Sequence, residues 1–265
     1  MLLSTLHAMS TAIPLTEPPT LECPNCGAEL KGRFCSLCGQ DCGDLRLDMR
    51  AQLREALGQI LGWDGSLLRT MRGLLCNPGG LALDYVRGRR RSYLHPARFC
   101  FISLALWLLV VRGTGMDVLS AVGIEFNVGS SESGAIVTDL KQFLSRHFDW
   151  LVFLFLPLRA LFLRLAFRRS EYTVGACLVP VLFVNGFGSL VGLLLAMAST
   201  FIVDDAFKLR PAIAMLWMIR TTRDFFDVGW IEATLKSFLV MVTHLAAMLL
   251  IVGLSAALWI YLRTH

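Results

Sequence analysis

The stretch LAAMLLIVGLSAALWIYL, Leu245 to Leu262, runs for 18 residues without a charge. Inside a bilayer no water satisfies backbone N–H and C=O groups, so an apolar run of about 20 residues there is confined to an α-helix. Four other apolar segments accompany it: Phe99 to Val111, Phe148 to Leu165, Thr173 to Val203, and Pro211 to Ile219 with its flanks, besides the last one from Phe238 to Leu262. The second, third and last are long enough to span, and the first suffices when extended to Pro96 and Gly113. The fourth, LRPAIAMLWMIRTT, is short enough either to span under cover of its neighbours or to lie re-entrant. The expected fold is an all-α integral membrane protein with about five transmembrane helices, four being the alternative count. Composition agrees: 55% of the residues are hydrophobic and 17% charged, whereas a soluble surface takes about a quarter.

Charge sets the orientation. The net +5 resides mostly in short arginine clusters, RGRRR at Arg87 to Arg91 and RLAFRR at Arg164 to Arg169. Clusters beside apolar runs set topology or meet anionic headgroups, while nucleic-acid binding takes a broad basic face on a soluble fold, so nucleic acid is not the expected partner. Arg87, Arg89, Arg90, Arg91 and Arg98 precede the first span, and the loop from Thr114 to His147 is acidic through Asp117, Glu125, Glu132 and Asp139. This places the N-terminus in the cytoplasm, with the residues ahead of the first span and both basic loops on one side and His265 outside for a five-span count.

Ahead of the spans stands a different chemistry, CPNCGAELKGRFCSLCGQ, Cys23 to Gln40. Each CxxCG turn sets two thiolates on a tight knuckle, with Gly27 or Gly39 supplying the backbone angles the turn requires. Two knuckles on a short hairpin can close a tetrahedral site of four sulfurs from Cys23, Cys26, Cys35 and Cys38, structural because no position is left for water. Zn2+ is the expected cofactor, in a reducing compartment, and a module this small needs it to fold. Cys42 is an alternative to Cys38, but its spacing breaks the knuckle pattern.

The chain divides into a disordered lead over 1–20, which lacks the basic n-region of a signal peptide, a zinc ribbon over 21–43, an amphipathic and interfacial helical segment over 44–95, and a transmembrane helical domain over 96–265. In the third part Leu53, Leu57, Ile60 and Leu61, then Leu67, Leu68, Met71, Leu74 and Leu75, recur at helical spacing with arginines between them. Two short helices follow from this, lying in the headgroup layer, packed on the membrane domain, or both. NPGG at Asn77 to Gly80 ends the second.

The ribbon with Phe34, Cys35, Cys38, Gly39 and Gln40, the amphipathic segment, and Pro78, Gly79, Tyr85, Gly88, Arg89, Tyr93 and Pro96 ahead of several spans together resemble a bacterial family of multi-pass membrane proteins known only as a domain of unknown function. The resemblance covers nearly the whole chain in order. It implies the bacterial inner (cytoplasmic) membrane and supplies no reaction. Where such families often continue with Tyr and then Glu-His before the third span, this chain keeps Tyr172 and lacks the pair, which argues against catalysis there. Physically the signature reads as a membrane-entry device: Tyr85 and Tyr93 anchor at headgroup level while Arg87, Arg89, Arg90 and Arg91 contact lipid phosphates.

Inside the spans, Arg159 is expected to snorkel toward the interface. Asn185, with Pro180, Gly186, Gly188 and Gly192, either interrupts the third span or marks close helix packing through Gly188 and Gly192. His244 reads as a hydrogen-bonded bundle residue. HExxH, GxSxG, SxxK and GxxxxGK[ST] are all absent from the sequence. The functional expectation is a non-enzymatic scaffold or recognition protein whose partners are membrane lipids, with anionic headgroups foremost, and a protein at the cytoplasmic face. The alternative is a small transporter or lipid-handling protein that uses the interrupted third span.

Overall fold

The computed structural model describes residues 22–42, 65–115, 154–201 and 206–264, with positions 138, 141, 142 and 145. The lead over 1–20, the first half of the amphipathic segment and most of the acidic loop lie outside the described residues. The rest is helical: α1 (Ser66–Cys76), α2 (Pro78–Val86), α3 (Pro96–Gly113), α4 (residues 154–166), α5 (Val174–Phe201), a 3-10 turn (Ala206–Leu209), α6 (Arg210–Phe226) and α7 (Trp230–Thr264). Among the described residues the only β pairing is two isolated antiparallel bridges in the ribbon.

Among the described residues three helices are long and apolar enough to cross a membrane, over Pro96–Gly113, Val174–Ser199 and Trp230–Ile251. By length and composition this is a multi-pass membrane protein. The expected second span is described only from residue 154. The expected fourth belongs to α6, 17 residues that carry Arg210 at the start and Arg220, Arg223 and Asp224 toward the C-terminal end, both shorter and more charged than the three long apolar helices.

Helix α5 is central, with 67% of its apolar window buried against 11% for α7. It is continuous over 28 residues, so the third span is not interrupted. Pro180 lies inside it, in the second turn, and forgoes the bond its missing N–H would make to Ala176 O without ending the helix, and the Thr173 hydroxyl accepts from Ala176 N at 3.2 Å at its start. A Cβ on Gly186 would come within 2.8 Å of the Phe99 ring and 3.0 Å of Cys100 Cα, and one on Gly192 within 3.0 Å of Trp107 Nε1, so Gly186 and Gly192, rather than Gly188, bring α3 against α5. Farther along, Trp107 of α3 lies beside Gly192, so the two helices run parallel. Helix α6 runs the other way, from Arg210 near Gly188 to Phe225, packed on Tyr172 with ring centroids 4.8 Å apart.

The amphipathic segment packs on this bundle. Asn77 ends α1 and starts α2: its side chain accepts from Gly80 N at 2.9 Å, and Pro78 takes the first turn, where its missing N–H costs nothing. NPGG, expected only as a breaker, is thus also a helix start. Leu74, Leu81, Ala82 and Tyr85 are buried in a cluster with Phe99, Val179, Phe183, Phe187 and Phe225. Gly79 lies where a Cβ would stand 2.5 Å from Asp224 Cβ and 2.6 Å from the Thr221 carbonyl oxygen, so α2 meets α6 backbone to backbone. The carbonyls at the end of α1, which lack helical partners, accept from α6: Trp217 Nε1 donates to Leu74 O at 3.0 Å and Arg220 Nη2 to Cys76 O. Leu68 and Leu75 remain exposed on α1.

Candidate functional site

The ribbon is two copies of one turn. In each, a glycine N–H bonds back to the first cysteine, Gly27 N to Cys23 O and Gly39 N to Cys35 O, both at 2.8 Å. Gly27 and Gly39 have φ of 74° and 71°, a region side chains with a Cβ resist. The bridges join Glu22 to Glu29 and Phe34 to Asp41, so strand pairing closes each knuckle on itself instead of making one hairpin between them. Arg33 forks onto Asp41 with bonds of 2.8 to 3.1 Å across the second knuckle.

The sulfurs of Cys23, Cys26, Cys35 and Cys38 all lie within 4.8 Å of one another, with Cys23 to Cys38 and Cys26 to Cys35 each 3.6 Å apart. Four sulfurs on a tetrahedral Zn2+ at about 2.3 Å stand about 3.8 Å apart. The donor set can therefore hold a metal ion. Cys42 Sγ is 3.9 Å from Cys23 but also 3.6 Å from the Gln40 carbonyl oxygen, to which it donates, outside the group of four. Burial pushes the Cys23 thiol up, but the Cys26 and Asn25 backbone N–H groups and the neighbouring thiols outweigh it and bring it down to about 6. For Cys26 the Ala28 N–H acts downward, yet desolvation and the other three thiols carry it up to about 12. Four thiolates this close are mutually incompatible unless a cation offsets them.

The ribbon is attached to the arginine loop through two amide side chains. Gln40, 4% exposed, donates from Nε2 to Gly88 O and accepts at Oε1 from Arg91 N at 3.2 Å. Asn25 Oδ1 accepts from Ser92 N at 3.2 Å and from Ser92 Oγ at 2.7 Å. From the other side, Thr70 Oγ1 of α1 accepts from Leu94 N at 2.9 Å. Asp84 accepts from Tyr93 OH at 3.2 Å and pairs with Arg89 at 3.4 Å. Gly88, with φ of 110°, turns the chain out of α2. Gln40 entered the sequence reading only as part of the ribbon signature, with no role given to it, and Asn25, Thr70 and Asp84 were not singled out. Gln40 follows the second knuckle and Asn25 sits within the first, and nothing beyond that adjacency signals a reach to the arginine loop.

Arg87, Arg89 and Arg91 are exposed and Arg90 is half-buried. Tyr85 departs from the expectation of a headgroup anchor: it is 1% exposed, edge-on to Phe183 at 6.0 Å and to His95 at 6.2 Å. Its position on the inner face of α2 turns it toward α5. Tyr93 is half-buried with its hydroxyl on Asp84. Buried His95 caps α3, accepting from Ala97 N at 3.3 Å, and burial followed by the nearby Arg90 charge pulls its pKa down to about 4.

A second polar group lies inside the bundle. Arg159, expected to snorkel, instead lines a cavity with Val184, Asn185, Gly188, Arg210, Pro211 and Ala214. His244, edge-on to Phe155 at 5.7 Å, has a buried Nδ1 with no hydrogen-bond partner among the described residues.

A multi-pass membrane protein with a four-cysteine module able to hold a metal ion, fastened to a basic loop, is the class these features define. Residues 64–108 match a family model described as "Protein of unknown function (DUF3667)". The matched stretch holds α1, α2, the arginine loop and the first part of α3, and the ribbon lies outside it. No curated protein and no solved structure matches the chain.

Proposed function

We propose that the protein is a non-enzymatic scaffold of the bacterial inner membrane, whose zinc-loaded cytoplasmic ribbon presents the arginine loop to anionic lipid headgroups and to a protein partner. The observation that carries this reading is the double grip of Gln40 and Asn25 on the loop backbone at Gly88, Arg91 and Ser92. Those bonds use the loop's main chain and leave the side chains of Arg87, Arg89 and Arg91 facing outward. A metal that fixes the knuckles thereby also fixes the loop, and each arginine held near an anionic surface adds about 1 kcal/mol of attraction. The helix directions favour five crossings: α3 and α5 run parallel, so the stretch containing α4 returns the chain between them, and α6 returns it again before α7. The arginines ahead of α3 and at Arg164, Arg168 and Arg169 then share the cytoplasmic side with the ribbon.

The test compares wild type, C23S/C26S, and a variant with Arg87, Arg89 and Arg91 changed to Gln, each extracted from native membranes. Anionic lipid retained is read by native mass spectrometry and copurifying proteins by proteomics. Loss of the same lipid and protein partners from both variants supports the reading. Retention of every partner by C23S/C26S overturns it.

A further inference from the structure

The cavity lined by Arg159, Asn185 and Arg210 has a volume of about 140 Å³, and no carboxylate is among its described lining residues. Its two arginines come from α4 and the start of α6, and the amide comes from the middle of α5. Arg210 lies over the Trp107 ring, 4.5 Å from its centroid, and donates from Nε to Gly188 O at 3.3 Å. Trp107 is about 16 Å along α3 from Pro96, near the middle of a hydrocarbon layer about 30 Å thick. Arg159 Nε is buried there without a hydrogen-bond partner.

The glycines of α5 are placed for this arrangement. A Cβ on Gly192 would stand 2.7 Å from Arg210 Nε and 3.0 Å from Trp107 Nε1, so glycine is what admits the stacked guanidinium. Gly188 meets nothing within 4 Å and leaves its carbonyl open to Arg210. Two guanidinium groups in a low-dielectric interior are costly unless an anion joins them, and the helices hold them in one cavity with an amide donor alongside.

We propose that this cavity binds a terminal phosphate group, either free inorganic phosphate or the monoester headgroup of a phosphatidic-acid-type lipid. A monoester carries roughly −1.5 to −2 at neutral pH, the charge that two arginines balance. Its tetrahedral oxygens accept the forked donors of guanidinium. This proposal stands independently of the ribbon reading, because it uses none of the ribbon or arginine-loop residues.

The test uses the full chain in phosphatidylcholine nanodiscs with added inorganic phosphate, and separately in nanodiscs containing phosphatidic acid. Binding is read as thermal stabilisation and as retained ligand in native mass spectrometry. Wild type is expected to be stabilised in at least one arm, and which arm responds identifies the source. R159Q and R210Q should each weaken binding about tenfold or more, and R159K and R210K, which keep the charge, should weaken it less. Changing Arg87, Arg89 and Arg91 to Gln should leave it unaltered. Absence of stabilisation in both arms, or equal binding by wild type and R159Q/R210Q, overturns the proposal. Should the glutamine variants fail to fold, weakened binding by R159K and R210K supports the proposal, and wild-type binding by R159K/R210K overturns it.

Discussion

Replacing Gln40 by alanine removes a side chain that touches no metal yet joins two modules. Gln40 makes one bond to Gly88 O and one from Arg91 N at a site 4% exposed. Each such bond contributes about 0.5–1.5 kcal/mol net, so losing both weakens the ribbon's hold on the loop by about 2 kcal/mol. That corresponds to roughly a 30-fold rise in the population of the released loop. Residue-resolved amide exchange reads it directly. Arg91 N and Ser92 N, which donate to Gln40 and Asn25, should exchange about 30-fold faster in Q40A. Gly27 N and Gly39 N, bonded within their own knuckles, should keep their wild-type rates. Q40E retains the acceptor for Arg91 but sets a carboxylate oxygen against the Gly88 carbonyl, and its effect should be at least as large. Wild-type exchange at Arg91 and Ser92 in both Q40A and N25A would refute the idea that the ribbon holds this loop.

The remaining predictions probe other parts of the molecule. Purified protein should carry one zinc per ribbon, and chelation should open residues 22–42 to protease while the three apolar helices keep their far-ultraviolet signal; an intact ribbon after complete metal removal would contradict this. Gly79→Ala should lower thermal stability by about 1–3 kcal/mol, because two of the atoms its Cβ would strike belong to the α6 backbone. Gly188→Ala, with nothing within 4 Å, should be neutral or slightly stabilising through its helix propensity, and equal losses in the two variants would count against the packing described. For His95 the folded pKa lies at about 4 against an ordinary 6.5, so between those values the unfolded chain binds the extra proton. Its contribution is whole above about pH 6.5 and is lost as pH falls toward 4, a difference of about 3 kcal/mol. Melts of wild type and H95N across that window should converge at acid pH, and parallel curves would refute the linkage.

The metal site and the long helices were legible because their constraints are local. CxxCG fixes where its sulfurs point within a few residues, and an unbroken apolar run admits only a helix. What escaped the sequence depends on partners remote in the chain. Tyr85 looks like an interfacial aromatic beside arginines, and only the packing of α2 against Phe183 turns it inward. Arg159 looked able to snorkel, being about one and a half turns from Arg164, until α5 and α6 enclosed it beside Arg210. Arg210 itself drew no notice, since an arginine before proline at the edge of a weak apolar segment reads as a border. Pro180 and its glycine neighbours left open a broken helix or close packing through Gly188 and Gly192; the helix is continuous, and Gly186 and Gly192 serve the approach of Phe99, Trp107 and Arg210. Gln40 and Asn25 gave no sign of reaching residues some fifty or more positions away.

Helix α6 is fastened at both ends by dissimilar means. Trp217 and Arg220 hold the carbonyls that terminate α1, while Arg210, about 15 Å away along the same rod, rests on Trp107. A tilt of such a rod at one anchor would displace the other, so a disturbance at Arg210 would reach the carbonyls that end α1.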